Sequence, residues 1–431
     1  MLMRKPTDYI DTYYRDTMQG ARAYDPLVDK IQADVCVIGG GLAGLNTALG
    51  LVERGRGAVV IEAARIGWGA SGRNGGFVAK GYARDLSSLK KKVGLDHARA
   101  LVNLTKDARA MIKQRINDLN IPCGPLRPGV LTVSWKDNPD AVKAIVDDMN
   151  DSYDLGFEFW GTDKVREQCH TDKYFDGVYS PGDFQFHPLT YVQGLASTIV
   201  SKGGQIYEGS KATKITQMPS GRWRIEVGNG GVIEAEHVVL CCSIYVNGLD
   251  KRLRNAAFPV RTYVMVTEPV DPADLKTSID TEHAIYDMRF ASDYYRVLPD
   301  NRIMWGGRVS VGRDPAKIAE LLHGDMLKVY PQLRGKVKTE YGWSGDLCYA
   351  PHKMPQIGQL APNYWYATCF GGHGLAPTTV GGEMIAGAIA DKDDRYKLFS
   401  PFGLNFAGGP LAPYIAQSVY WWWRARDYIG G

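Results

Sequence analysis

The chain has 431 residues, 45% of them apolar and 23% charged, which is enough for two domains with cores of their own. Its net charge of +4 is small for that length and argues against a nucleic-acid-binding surface. No stretch holds the roughly 18 consecutive apolar residues of a membrane-spanning helix, and the opening MLMRKPTDYIDTYYRD lacks the apolar centre of a secretory signal. The seven Cys are scattered with no C-x-x-C, as expected for reduced thiols in a cytoplasmic protein. The eight His show no H-x-x-x-H spacing, and no metal is expected.

Residues 1–30 are polar and Tyr-rich and read as an arm lying over the body. The stretch Asp34 to Gly76 is the most informative part of the chain. Val35-Cys36-Val37-Ile38 reads as a buried strand, and Gly39, Gly41 and Gly44 follow in G-x-G-x-x-G spacing. Leu45 to Arg54 reads as a helix, and Ala58 to Ile61 as a second strand ending in Glu62. Each part suits a dinucleotide. Gly39 allows the tight turn, Gly41 lets backbone approach a pyrophosphate, and Gly44 lets helix pack on strand. The helix N-terminus offers amide donors to phosphate, and Glu62 can accept from ribose hydroxyls. Glycine-rich turns alone are common; strand, glycines, helix, strand and acid in register are a specific signal. The next segment, Arg65 to Gly76, is rich in Gly and Ala, so backbone can lie against a flat ring or a phosphate. Ser71, Arg73 and Asn74 add donors there.

Further along, Asp96 to Leu119 has helical periodicity, Gly129 to Val133 reads as a strand, and Asn138-Pro139 opens a helix over Ala141 to Met149. Lys90-Lys91-Lys92 reads as a solvated helix start. His187-Pro188 opens a helix through Val200. Gln205 to Ile215 reads as one strand with its continuation, Arg222 to Val227 as a hairpin partner, and His237 to Cys241 as a buried strand, with Cys241 and Cys242 as small hydrophobes. Long aromatic strands are expected at Val260–Glu268, Ala284–Phe290, Tyr294–Leu298 and Ile303–Arg308, with a tight turn at Pro299-Asp300-Asn301. Asp314-Pro315 opens a helix to about Tyr330. Asn363 to Cys369 is a strand, and glycines 371, 372 and 374 precede a helix over Val380 to Ala390. The Trp421-Trp422-Trp423 run reads as part of a closing helix buried against the body, in preference to a membrane-contact patch, because Arg424, Arg426 and Asp427 follow at once.

The sequence DVCVIGGGLAGLNTAL…EAARIGWGASGRNGG resembles the amine-oxidising branch of the D-amino-acid-oxidase-like FAD family, and the likeness extends along nearly the whole chain. It implies an α/β fold: a Rossmann-type FAD-binding domain (1–98, 177–256 and 344–431) and a second α+β substrate domain on an antiparallel sheet (99–176 and 257–343). It implies FAD contacts from Gly39, Gly41, Leu42, Ala43, Gly44, Glu62, Ala63, Gly69, Ala70, Ser71, Arg73, Asn74, Gly75, Gly76, Ala212, Gly372, His373, Gly374 and Leu375. The pattern G-x-S-G-H-G of the family has Gly371 in place of Ser here. The implied reaction is hydride transfer from a carbon beside an amine nitrogen to flavin N5, then hydrolysis of the imine, with O2 as acceptor and H2O2 as product. Gamma-glutamylputrescine-like amines lead as substrates, followed by secondary amino acids such as pipecolate, sarcosine or iminodiacetate.

Four residues stand out as substrate-side candidates: Tyr295, Arg296, His352 and His373. Arg296 can bind a carboxylate bidentately or close a salt bridge at the sheet edge. His373 sits beside the flavin by resemblance and can equally just hold its loop. Tyr263 and Trp305 are cavity walls or, more simply, core. Lys353 can bind an anionic substrate or be solvated. Relatives of the sarcosine-oxidase type bond flavin to a Cys in the region of Cys348; here that Cys is displaced, so FAD is expected to be non-covalent and Cys348 a packed thiol. Those relatives also use a Lys near flavin N5, and the hairpin Tyr294 to Arg308 has none. That keeps open a dehydrogenase passing electrons to a partner, and a flavin-binding protein without turnover. A flavin hydroxylase would need a Gly-Asp pair where this chain has Gly-Gly-His-Gly.

Overall fold

The computed structural model describes residues 8–310 and 317–429. Among them, eight strands form one sheet and nine another. The first sheet is parallel at its centre, in the order Tyr364–Thr368, Val232–Leu240, Lys30–Ile38, Ala58–Ile61 and Gln205–Tyr207. Gln356–Ala361 adds an antiparallel edge, and Ala212–Gln217 and Trp223–Val227 extend from Val232–Leu240. Alternation along Lys30–Ile38 decides the two faces. Val35 and Val37 pack under the helices Leu42–Glu53, Pro188–Ser201 and Leu375–Ala390, while Cys36 and Ile38 pack against the Trp223–Val227 side.

The second sheet runs Thr339–Tyr349, Phe258–Thr267, Ile303–Ser310, Tyr294–Val297, Ala284–Asp287, Arg127–Val133, Gly177–Gln185 and Phe77–Val78, with Glu158–Trp160 beside Gly177–Gln185. All its pairings are antiparallel except that of Ala284–Asp287 with Arg127–Val133. Tyr263 and Met265 point to the helix Ile318–Val329, whose expected start at Asp314-Pro315 lies outside the described residues. Val264 and Val266 point to the other face, where the N-terminal arm is pinned by buried Tyr13 and Tyr14.

Several expectations shift. Gly177–Gln185 pairs into the second sheet, although the expected cofactor-binding part resumes at 177. The helix Leu95–Asp118, split by the expected boundary at 98, packs into the first core. A buried network fixes it there: Arg115 donates to Asn46 Oδ1 at 2.7 Å and to Glu383 Oε1 at 2.6 Å, joining three helices. Gln205 to Ile215 is two strands, interrupted after Tyr207 by a bend. Val232–Leu240 ends before Cys241. Lys90, Lys91 and Lys92 occupy the last turn of Leu86–Val93 rather than a helix start, which suits the negative end of the helix dipole. The closing helix Ala412–Ile429 leaves Trp421 and Trp422 63% and 59% exposed, so the expected burial fails for both rings.

Candidate functional site

A cavity of about 1260 Å³ lies between the two sheets. Two helices begin at its wall without a side-chain cap, Leu42–Glu53 after Gly41 and Leu375–Ala390 after Gly374. Apart from Leu42 N, which Ser71 Oγ takes up, their leading amides and positive dipole ends face the cavity and suit an anion or an electron-rich ring edge. Space explains the glycines. A Cβ at Gly39 would lie 2.6 Å from Cys241 O, and one at Gly41 would lie 2.9 Å from Ser71 Oγ, whereas a Cβ at Gly374 would meet nothing within 4 Å. Gly44 and Gly76 do not line the cavity. A Cβ at Gly44 would collide with Gly39 O, and Gly76, at φ 77°, lies against Phe186 O. Both allow close packing behind the wall.

The other residues expected at a dinucleotide do line it: Leu42, Ala43, Glu62, Ala63, Gly69, Ala70, Ser71, Arg73, Asn74, Gly75, Ala212, Gly372, His373 and Leu375. Several of them shape their own loop. Ser71 Oγ accepts from Leu42 N at 3.0 Å, and Asn74 Nδ2 donates to Ser71 O at 2.8 Å while its Oδ1 accepts from Gly76 N at 2.8 Å. Glu62 accepts from Gly40 N at 2.7 Å and Ala64 N at 2.8 Å. Burial raises its pKa, and these amides oppose the rise. Arg73 lies 4.3 Å over the Trp68 ring, burial lowers its pKa, and its buried Nη2 has no hydrogen-bond partner. An orphaned guanidinium nitrogen, two open helix ends and an acid at a strand end together fit a ligand with both phosphates and ribose.

The four substrate-side candidates separate. His373 lines the cavity; its Nε2 is 3.1 Å from Ala79 O, and burial holds its pKa below the ordinary value, so the ring is neutral. Tyr295 is absent from the wall. It stacks on Trp305 at 4.2 Å and shares a 2.6 Å hydrogen bond with Tyr330, fully buried beneath the sheet. Arg296 is buried and bonded to Gln185 Oε1, Tyr14 OH and Phe186 O, each at 3.0 Å. It anchors the N-terminal arm and does not reach the cavity. His352 is also behind the wall: its Nδ1 accepts from Met354 N at 3.2 Å and its Nε2 is 3.3 Å from Gly403 O. Tyr263 and Trp305 are core. Lys353 does line the cavity, and burial lowers its pKa. Cys348 lines it too, with Sγ 3.4 Å from Cys369 Sγ.

The sequence reading missed the ring that faces the cavity, Tyr294, which meets Phe77 and Tyr286 edge-on or tilted at 5.7 and 6.1 Å. The signal was Gly306 directly opposite, whose missing side chain leaves room for the Tyr294 ring. It also missed Tyr349, whose hydroxyl accepts from Gly372 N at 2.8 Å, and Asp346, paired with Arg261 at 2.6 Å.

The chain is similar to known proteins along most of its length. The family model described as FAD dependent oxidoreductase (DAO) matches residues 34–388. Gamma-glutamylputrescine oxidoreductase of Escherichia coli (strain K12) is 32% identical over 98% of this chain and 100% of its own length. A probable oxidoreductase OrdL of Haemophilus influenzae is 30% identical over 96% of each chain. Among solved structures, glycine oxidase from Bacillus cereus superposes with a TM-score of 0.72 at 19% identity, covering 85% of this chain and 98% of its own. The L-proline dehydrogenase of P.horikoshii gives 0.72 at 18%, covering 87% and 99%. The chain belongs to the DAO family of FAD-dependent oxidoreductases.

Proposed function

We propose that this enzyme oxidises the C–N bond of an amine of the gamma-glutamylputrescine type. The product imine is hydrolysed to an aldehyde or keto acid plus an amine, and O2 takes the electrons and leaves as H2O2. The observation that carries this reading is one cavity joining the two open helix ends to the aromatic wall of Phe77, Tyr286 and Tyr294, in a chain 32% identical to an enzyme of that name. FAD, bound without a covalent link, supplies the two-electron acceptor. In this reading the first sheet and its helices hold the cofactor, and the second sheet shapes the substrate side.

The protein's own groups do the rest. The amine must react as its neutral base, and Arg73 and Lys353 make the cavity unfavourable for an ammonium ion. The aromatic wall excludes water from the reacting carbon. The open N-terminus of Leu375–Ala390 favours negative charge gathering at that wall. Neutral His373 fixes its loop to Ala79 and needs no proton transfer of its own. Cys348 stays a packed thiol beside Cys369. The seven cysteines, all free, suit a reducing compartment such as the cytoplasm.

A second reading has a secondary amino acid as substrate, with the orphaned Arg73 Nη2 on its carboxylate instead of on the cofactor's phosphates. Product analysis separates the two. Incubation in air with gamma-glutamylputrescine, iminodiacetate, pipecolate or sarcosine should give peroxide and aldehyde in equal amounts from the first. Turnover confined to the amino acids would replace the proposal with the second reading. Aldehyde without peroxide would remove O2 as acceptor.

A further inference from the structure

The exposed rings of the closing helix are not scattered. At about 100° per residue, Tyr414, Ser418, Trp421, Trp422 and Ala425 of Ala412–Ile429 share one face, and all are exposed. Tyr414 is 73% exposed, whereas Tyr420 on the opposite face is buried. The face continues at both ends. Toward the N-terminus it meets exposed Leu411 and then Phe406, whose ring would lie 3.4 Å from a Cβ at Gly409. Toward the C-terminus Arg426 sits 5.6 Å over Trp422 and 4.6 Å over exposed Phe290.

The charge along this strip has one sign. Arg424 and Arg426 are exposed. The helix's one acid, Asp427, is turned inward and accepts from Phe290 N and Ala291 N at 3.2 and 2.9 Å. At the other end Ala407 N is tied to Asn255 O at 2.8 Å, beside exposed Lys251 and Arg254. A second copy of this chain would bring arginines against arginines. Ring-bearing side chains flanked by cations are instead the composition of a helix lying in the headgroup region of a bilayer, where Trp and Tyr keep an apolar body in the acyl boundary and a polar edge in water.

We propose that this face docks the enzyme peripherally on a bilayer carrying anionic lipid. Among the described residues no helix is long and apolar enough to cross a membrane, so the contact is a surface one. Gln417, Val419 and Tyr420 of the same helix line the cavity, as does Phe290, so the docked helix would lie between the bilayer and the cavity.

Co-sedimentation of the FAD-loaded enzyme with vesicles tests this. Vesicles of phosphatidylcholine plus phosphatidylglycerol should bind it at least roughly tenfold better than phosphatidylcholine alone, and added salt should weaken the binding. W421S/W422S should lower binding at least roughly tenfold while flavin content and turnover of a soluble amine stay unchanged. R424E alone, at an exposed position, should weaken binding several-fold. An enzyme that stays in the supernatant with anionic vesicles would overturn the proposal, as would binding indifferent to both variants. A dimer in sedimentation velocity that W421S/W422S abolishes, without vesicle binding, would assign the face to a second copy.

Discussion

Tyr294 and Tyr295 are neighbours on one strand with opposite surroundings. Tyr294 lies across Gly306 with its ring toward Phe77 and the cavity, while Tyr295 is paired with Trp305 and sealed beneath the sheet. Their substitutions should therefore differ in kind. Tyr295→Phe should lower stability by about 1–2 kcal/mol, because the buried Tyr330 hydroxyl loses its partner, with kcat and KM unchanged. Tyr294→Ala should leave the melting temperature nearly unchanged and raise KM for the amine. A KM effect at Tyr295 with no stability effect would contradict the assignment. Arg296→Met should behave like Tyr295→Phe but more severely, at about 3 kcal/mol, since three bonded groups lose a charged donor; chemical denaturation measures it. The residue types at this wall were legible in the sequence, but which member of an adjacent pair faces the cavity was not. Alternation along the strand orders the faces, and only the glycine opposite Tyr294 distinguishes one from the other.

At the scale of the element, the open helix ends were the clearest part of the sequence. The spacing of Gly39, Gly41 and Gly44 already implied a helix whose amides face a ligand, and Leu42–Glu53 starts there. Gly41→Leu should fill the approach beside Ser71 Oγ, 2.9 Å from the new Cβ. The purified variant should be folded by circular dichroism and lack most of its flavin absorbance; full flavin content would show that the amides do not hold the cofactor. Another helix start carries a pH dependence. His187 caps Pro188–Ser201: its Nδ1 accepts from Thr190 N at 3.1 Å, and its Nε2 lies 3.1 Å from Thr17 Oγ1 on the arm. Burial first, and Arg296 second, pull its pKa down to about 4. Between about 4 and the ordinary value of 6.5 the unfolded chain binds more protons than the folded one, so stability rises with pH there and is lost as pH falls. The full loss is of order 3 kcal/mol. His187→Asn, which can still cap the helix but cannot titrate, should flatten this part of the stability profile. An unchanged slope would place its origin elsewhere. The Trp421–Trp422 faces were misread because the arginines that follow them suit a helix end against the body as well as an exposed basic face; sequence does not tell which side of a closing helix meets the core.

Over the described residues, two sheets contribute to one cavity, and segments far apart in the chain build each sheet. The fold class was legible in the sequence, and so was the start of Leu42–Glu53, because the glycine spacing is local. Where 177–185 pairs, and that Leu95–Asp118 belongs with the first core, were not, because strand pairing and the Arg115–Glu383 contact join residues far apart in the chain. The aromatic wall of the cavity is likewise assembled from Phe77, Tyr286 and Tyr294, none of which signals its place alone. This cavity is proposed to oxidise an amine with bound FAD. Its most direct test is the visible absorbance of the bound flavin on anaerobic addition of gamma-glutamylputrescine, followed by air. Rapid bleaching by the amine and rapid recovery with release of peroxide are expected. A flavin that no amine or amino acid of the set bleaches would contradict it.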